Sequence, residues 1–154
     1  MNSIAIAPGV SPKFLFKPIL VGGAIAGTLD QISAFISSGW NVPRIVAAGL
    51  LGPQVIHGRE ASVWTLGLAL HYFIAFSAAT VYCLASRRLE FLKEHFLVSG
   101  LFYGISVFLV MYFVVMPLCA FHYKGPYTLH ILREGIIVHM LLIGLPISAS
   151  LRKL

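Results

Sequence analysis

Apolar positions cluster in four long runs, residues 18–38, 61–85, 97–121 and about 128–150, with short polar stretches between them. A helix needs about 20 mostly apolar residues to cross the hydrocarbon core of a bilayer, and each run supplies that length. The second and third contain no Asp, Glu, Lys or Arg, and the first contains only Asp30. The fourth carries Arg133 and Glu134 near its start and is then uncharged over 135–151. The pattern predicts an all-α fold, a four-helix transmembrane bundle forming one membrane domain over residues 18–151. Residues 1–17 read as an N-terminal cytoplasmic tail and 152–154 as a cytoplasmic C-terminus. The first run is longer than the apolar part of a signal peptide and holds Asp30 in its middle, so it reads as a span and not a cleaved leader.

The loops differ in length. The second and third are short, which makes their flanking helices antiparallel neighbours. The first, about 39–60, is long enough to hold structure of its own. Within 42–51, Ile45, Val46, Leu50 and Leu51 recur at helical spacing, Pro43 stands near the start, and Gly52–Pro53 forms a stop signal. A short helix is expected there, either interfacial at the outer membrane surface or packed as a cap over the bundle.

Composition narrows the class. The chain has 154 residues, of which 58% are hydrophobic and only 10% charged. An ordinary soluble domain is about 25% charged, so neither a soluble globule nor a disordered chain fits. The net charge is +6, but the cations are sparse and lie between apolar runs, so there is no basic face for nucleic acid. They sort by side instead. Lys13, Lys17, Arg87, Arg88, Lys93, Arg152 and Lys153 fall on one side of the membrane; Arg44, Arg59, Lys124 and Arg133 fall on the other. That bias puts both termini of a multi-pass membrane protein in the cytoplasm. Trp40, Trp64, Tyr123 and Tyr127 then lie at the outer ends, where amphipathic rings favour the headgroups.

Helices in lipid associate through close packing of small residues, because lipid tails are as apolar as leucine. Gly23 and Gly27 form a GxxxG pair in the first span, and Gly100 and Gly104 form one in the third. Gly67 and Gly135 mark small positions in the second and fourth. Polar residues share these faces: Asp30 stands three past Gly27, His71 four past Gly67, and His139 four past Gly135. Residues so spaced lie on one side of a helix. Asp30, His71 and His139 therefore turn into the bundle as an intramembrane polar cluster, with Thr28 and Gln31 beside them, and the expected arrangement is a ladder from the outer face to the centre. An ionised carboxylate at mid-membrane costs at least about 2.5–3.5 kcal/mol. Asp30 is thus either protonated or matched by a partner. The cluster reads as a proton or ion relay, as a polar ligand pocket, or as an interhelical clamp worth about 0.6 kcal/mol per hydrogen bond.

Other residues add little chemistry. Cys83 and Cys119 fall at opposite ends of their spans and cannot bridge. His57, His95, His122 and His130 lie in loops or at interfaces. No metal-ligand motif, phosphate loop or nucleophile–base pair stands out, so no catalytic residue and no cofactor is expected. Pro117 and Pro146 are expected to kink the ends of their helices.

The runs Gly22–Asp30, Gly49–Pro53, Gly67–Tyr72 and His139–Pro146 resemble small bacterial inner-membrane proteins of the YagU-like family, over most of residues 20–150. That resemblance implies a multi-pass inner-membrane protein and carries no catalytic residues over. Three functional readings follow from the sequence. The first is a non-enzymatic accessory, assembly or stress-related membrane component, acting as a homo-oligomer or within a larger membrane complex. The second is a small transporter or proton conductor using Asp30, His71 and His139. The third is a haem- or metal-binding membrane protein.

Overall fold

A computed structural model of the chain describes residues 12–120, 122, 125 and 128–154. The described residues contain helices and no strand. We number the helices α1 (Pro12–Ser38), α2 (Val42–Leu51), α3 (Ala61–Ala85), α4 (Phe91–Glu94), α5 (Phe96–Leu118) and α6 (Leu129–Lys153). Four of them, α1, α3, α5 and α6, are long and apolar enough to span a membrane.

The close contacts of small residues give the topology. Gly23 faces Phe76 and Gly27 faces Tyr72 and Ala75, so α1 and α3 run antiparallel. Gly22 meets Ile147 and Ser150 near the end of α6, so α1 and α6 are antiparallel as well. Gly100 meets Ser148 and Gly104 meets the backbone of His139 and Met140, which packs α5 against α6 in the same sense. Hydrogen bonds from Tyr103 Oη to Ala78 O (2.7 Å) and from Tyr82 Oη to Ser99 Oγ (3.1 Å) tie α5 to α3. The result is an up-down-up-down bundle, as the short loops require.

Most element bounds match the periodicity, and the departures have local causes. α1 begins at Pro12, not at residue 18: proline is favoured at a first helical position, and the buried Pro18 is absorbed within the helix. α5 stops at Leu118, not at residue 121, because Cys119 turns extended (ψ 164°). α6 starts one residue late at Leu129, capped by Thr128 Oγ1, which accepts from Ile131 N–H, and it runs on to Lys153. The turn between α3 and α5 contains a helix the periodicity does not predict, α4. Its Leu92 carbonyl accepts from Tyr82 Oη at 2.9 Å. The tail before residue 12, and Tyr123, Lys124 and Tyr127, lie outside the described residues.

α2 forms over the residues its periodicity marks and ends at Gly52, whose φ of +93° favours glycine. It is a cap over the bundle. Pro43, Ala47 and Ala48 are buried, and a side chain at Gly67 of α3 would run into the Pro43 backbone. Beside it, Trp40 stacks on Phe35 (centroids 4.4 Å apart) and Trp64 (5.7 Å), and Trp64 Nε1–H donates to Trp40 O. Glu134 pairs along its own helix with His130 at 3.2 Å instead of reaching across the bundle.

Away from α2, Leu15, Tyr82, Cys83, Ile147 and Leu151 form a close-packed core with Ala26 and Ala79, and a cavity of about 570 Å³ lined by Tyr82, Leu92, Val98 and Tyr103 opens beside it between α3, α4 and α5. Toward α2 the facing residues shrink and a second cavity opens.

Candidate functional site

The cavity has a volume of about 400 Å³ and lies between α1, α2, α3, α5 and α6. Its wall is almost wholly apolar. α2 roofs it with Val42, Ile45, Val46, Gly49 and Leu50, and α3 contributes Leu70, Ile74, Ala75 and Ala78. The polar exceptions are Asp30 from α1, His71 from α3 and His139 from α6. The three main residues of the expected cluster therefore line one space, each carried by a different helix.

They do not form a ladder. Asp30 lies eight residues before the end of α1, and His71 and His139 each lie ten residues after the start of their helices. At 1.5 Å per residue these are depths of roughly 12–15 Å, so the three surround the cavity at about one level. The antiparallel packing brings to one level residues that the sequence reading spread from the outer face to the centre.

Thr28 and Gln31 stand apart from the cavity wall. Thr28 Oγ1 and Tyr72 Oη share a hydrogen bond of 2.9 Å that clamps α1 to α3. Gln31 is only 4% exposed, and neither its amide nitrogen nor its oxygen has a hydrogen-bond partner.

Both histidines are held by carbonyl groups, and this fixes their neutral tautomers. A carbonyl oxygen only accepts, so the ring nitrogen facing it carries the proton. His71 Nε2–H donates across the helix interface to Gly27 O at 2.8 Å. His139 Nδ1–H donates to Gly135 O, one turn back on its own helix, at 2.9 Å. The lone pairs left over are His71 Nδ1 and His139 Nε2. The His139 ring also meets Phe108 edge-on, with centroids 5.3 Å apart, and Phe108 occupies the space that the absent side chain of Gly135 leaves. Gly135 thus admits a ring against the histidine, whereas Gly100 and Gly104 admit another helix. The Asp30 carboxylate has no hydrogen bond or ion pair among the described residues, and it lies within Coulombic range of His139.

Two irregular turns shape the wall. Met111–Val115 in α5 and His139–Gly144 in α6 are π-helical. Met116 N–H bonds Met111 O and Leu145 N–H bonds Met140 O, five residues back in each case. Each turn lies just before a proline, Pro117 or Pro146. Having no N–H, those prolines leave the carbonyls of Phe113 and Leu142 without α-helical donors. The helix widens at both places. Such bulges recur at functional sites, and Met111, Val115, His139 and Ile143 of these two turns all line the cavity. Periodicity cannot reveal a π-turn; the two intramembrane prolines were the available signal. Met116 and Cys119 of the wall were likewise missed, and Cys119 Sγ is bonded to Met116 O at 3.1 Å.

Among the described residues no three His, Cys, Asp or Glu side chains come together at metal-ligand spacing. No protein family, curated protein or solved structure matches the chain.

Proposed function

We propose that this chain is a multi-pass carrier of the plasma (inner) membrane, binding a small solute in the cavity around Asp30, His71 and His139. One observation carries the reading. Three ionisable groups from three helices converge on one apolar space, and the carboxylate among them has no partner. Intramembrane ionisable groups that face a cavity mark substrate or ion pathways, and about 400 Å³ is the volume of a small-molecule site.

The helix-packing glycines support a carrier over an accessory subunit. Gly23, Gly27, Gly100, Gly104 and Gly144 are all occupied by neighbours from the same chain. They close this bundle.

Orientation follows from charge. Lys17, Arg87, Arg88, Arg152 and Lys153 are exposed at the end away from α2. With that end cytoplasmic, the cavity lies in the outer half of the bilayer and α2 is its roof on the outer side.

The test is solid-supported-membrane electrophysiology on proteoliposomes, with concentration jumps of small amines, carboxylates and neutral amides. At least one class should displace charge in the wild type and not in Asp30→Asn. Silence of the wild type toward all three classes overturns the carrier.

A further inference from the structure

The cavity has an unusual hydrogen-bonding inventory. Every N–H or S–H that its side chains own is already used on a helix carbonyl: His71 Nε2 on Gly27, His139 Nδ1 on Gly135, and Cys119 Sγ on Met116. What remains toward the space is acceptors only, namely the two Asp30 oxygens and the lone pairs of His71 Nδ1 and His139 Nε2. No lysine or arginine lines the wall. With Asp30 ionised, the site therefore offers one negative charge and no donor, inside an apolar shell. An anion would find neither a positive charge nor a hydrogen bond. A neutral acceptor such as a ketone or quinone would face only lone pairs. A hydrated inorganic cation would lose its water to hydrocarbon walls, and the three acceptors do not come together at metal-ligand spacing.

We propose that the solute is a hydrophobic organic ammonium ion, whose charge and N–H donors meet the Asp30 carboxylate while its apolar body fills the space under α2 beside His71 and His139. This rests on the carrier reading and specifies its substrate class. A primary ammonium supplies the positive charge and the N–H donors that Asp30 lacks among the described residues. Val46, Ala78, Met111 and Ile143 supply the apolar contact for the body, and the methionine side chain adapts to varied ligand shapes.

The experiment uses the full chain in lipid nanodiscs, with empty nanodiscs subtracted, and isothermal titration of four probes sharing one phenyl body. These are 2-phenylethylammonium, its N,N,N-trimethyl form, 2-phenylethanol and 3-phenylpropanoate. The primary ammonium should bind saturably. The alcohol and the carboxylate should bind at least about tenfold more weakly, as should Asp30→Asn toward the ammonium, since a charge-assisted hydrogen bond is being lost. The trimethyl form keeps the charge and lacks the donors. Its binding as tightly as the primary amine overturns the proposal, and so does equal binding of the alcohol. A second measurement separates this proposal from the carrier reading: labelling by the membrane-soluble dicyclohexylcarbodiimide, read as a mass shift at Asp30. Labelling without ammonium binding overturns the substrate class and leaves the site standing. Absence of labelling in folded wild type at acidic as well as neutral pH, checked by circular dichroism, overturns both.

Discussion

Gly144→Ala tests the seam between α5 and α6. A Cβ built at Gly144 would lie 2.7 Å from Gly104 N and 2.9 Å from Gly100 C, and nearer still to Gly100 O. All three are backbone atoms, so no side chain can swing away. Gly100 O is the nearest of the three, so restoring ordinary contact, about 3.5 Å, means parting the helices by more than about 1 Å, and such a gap forfeits about half or more of each dispersion well. With on the order of 50 such contacts at about 0.15 kcal/mol each, the loss is about 4 kcal/mol. Alanine's better helix propensity returns at most about 1 kcal/mol. The net cost is about 3 kcal/mol, roughly 150-fold in the folding equilibrium. Gly49→Ala is the matched control: its Cβ would meet nothing nearer than Cys119 Cβ at 3.7 Å, so the same change should be neutral or stabilising by up to about 1 kcal/mol. The assay is reversible dodecyl-sulfate unfolding in mixed micelles, followed by far-UV circular dichroism. If Gly144→Ala is as stable as wild type, or if Gly49→Ala loses as much as Gly144→Ala, the helix contacts are not as described.

Gly67→Ala should lift α2, because its Cβ would overlap the Pro43 carbonyl; maleimide should then modify Cys119, which lies behind Gly49, severalfold faster, while Cys83 in the packed half keeps its wild-type rate. An unchanged Cys119 rate would count against α2 as a roof. Gln31→Leu removes a buried amide that has no partner, so stability should hold or rise by up to about 1 kcal/mol, and a loss of that size in the same unfolding assay would show that the amide is satisfied. Tyr103→Phe deletes the 2.7 Å bond to Ala78 O and should cost about 0.5–1.5 kcal/mol; a change below about 0.2 kcal/mol would mean the hydroxyl contributes no net stability.

Length and period carried most of the architecture. The four spans and α2 were legible because a bilayer demands about 20 apolar residues per crossing and because Pro43 and Gly52 bracket a helical repeat. The inward placement of Asp30, His71 and His139 was legible because each follows a glycine by three or four residues, and those glycines face neighbouring helices or rings. Depth was not legible, since it depends on how antiparallel helices register. The helical character of residues 12–17 was missed because Pro12 and two lysines there read as a tail. Thr28 and Gln31 were grouped with the cluster by proximity in sequence, yet they project around the helix from Asp30, at about 200° and 100° respectively. One meets Tyr72 and the other is buried away from the cavity wall.

A close-packed core and the cavity around Asp30 lie side by side along the bundle. In the core, α3 and α6 contribute Tyr82, Ile147 and Leu151. One or two turns further along, the chain uses Gly27, Ala34, Gly49, Ala75 and Ala78, and the space is open. Larger apolar residues at these positions would be cheap in sequence terms and would remove a void that costs about 1 kcal/mol for each methyl-sized gap. The same stretch contains both prolines that break the α-helical hydrogen-bond ladder, and both resulting π-turns line the void. A clamp would be expected to do the opposite: close-packed walls, an unbroken ladder, and a carboxylate matched to a donor. Here the walls are thinned, the ladder is widened, and Asp30 has no hydrogen bond or ion pair among the described residues. These three departures share one location, and a bound cation that supplies the donor and fills the space accounts for all of them together.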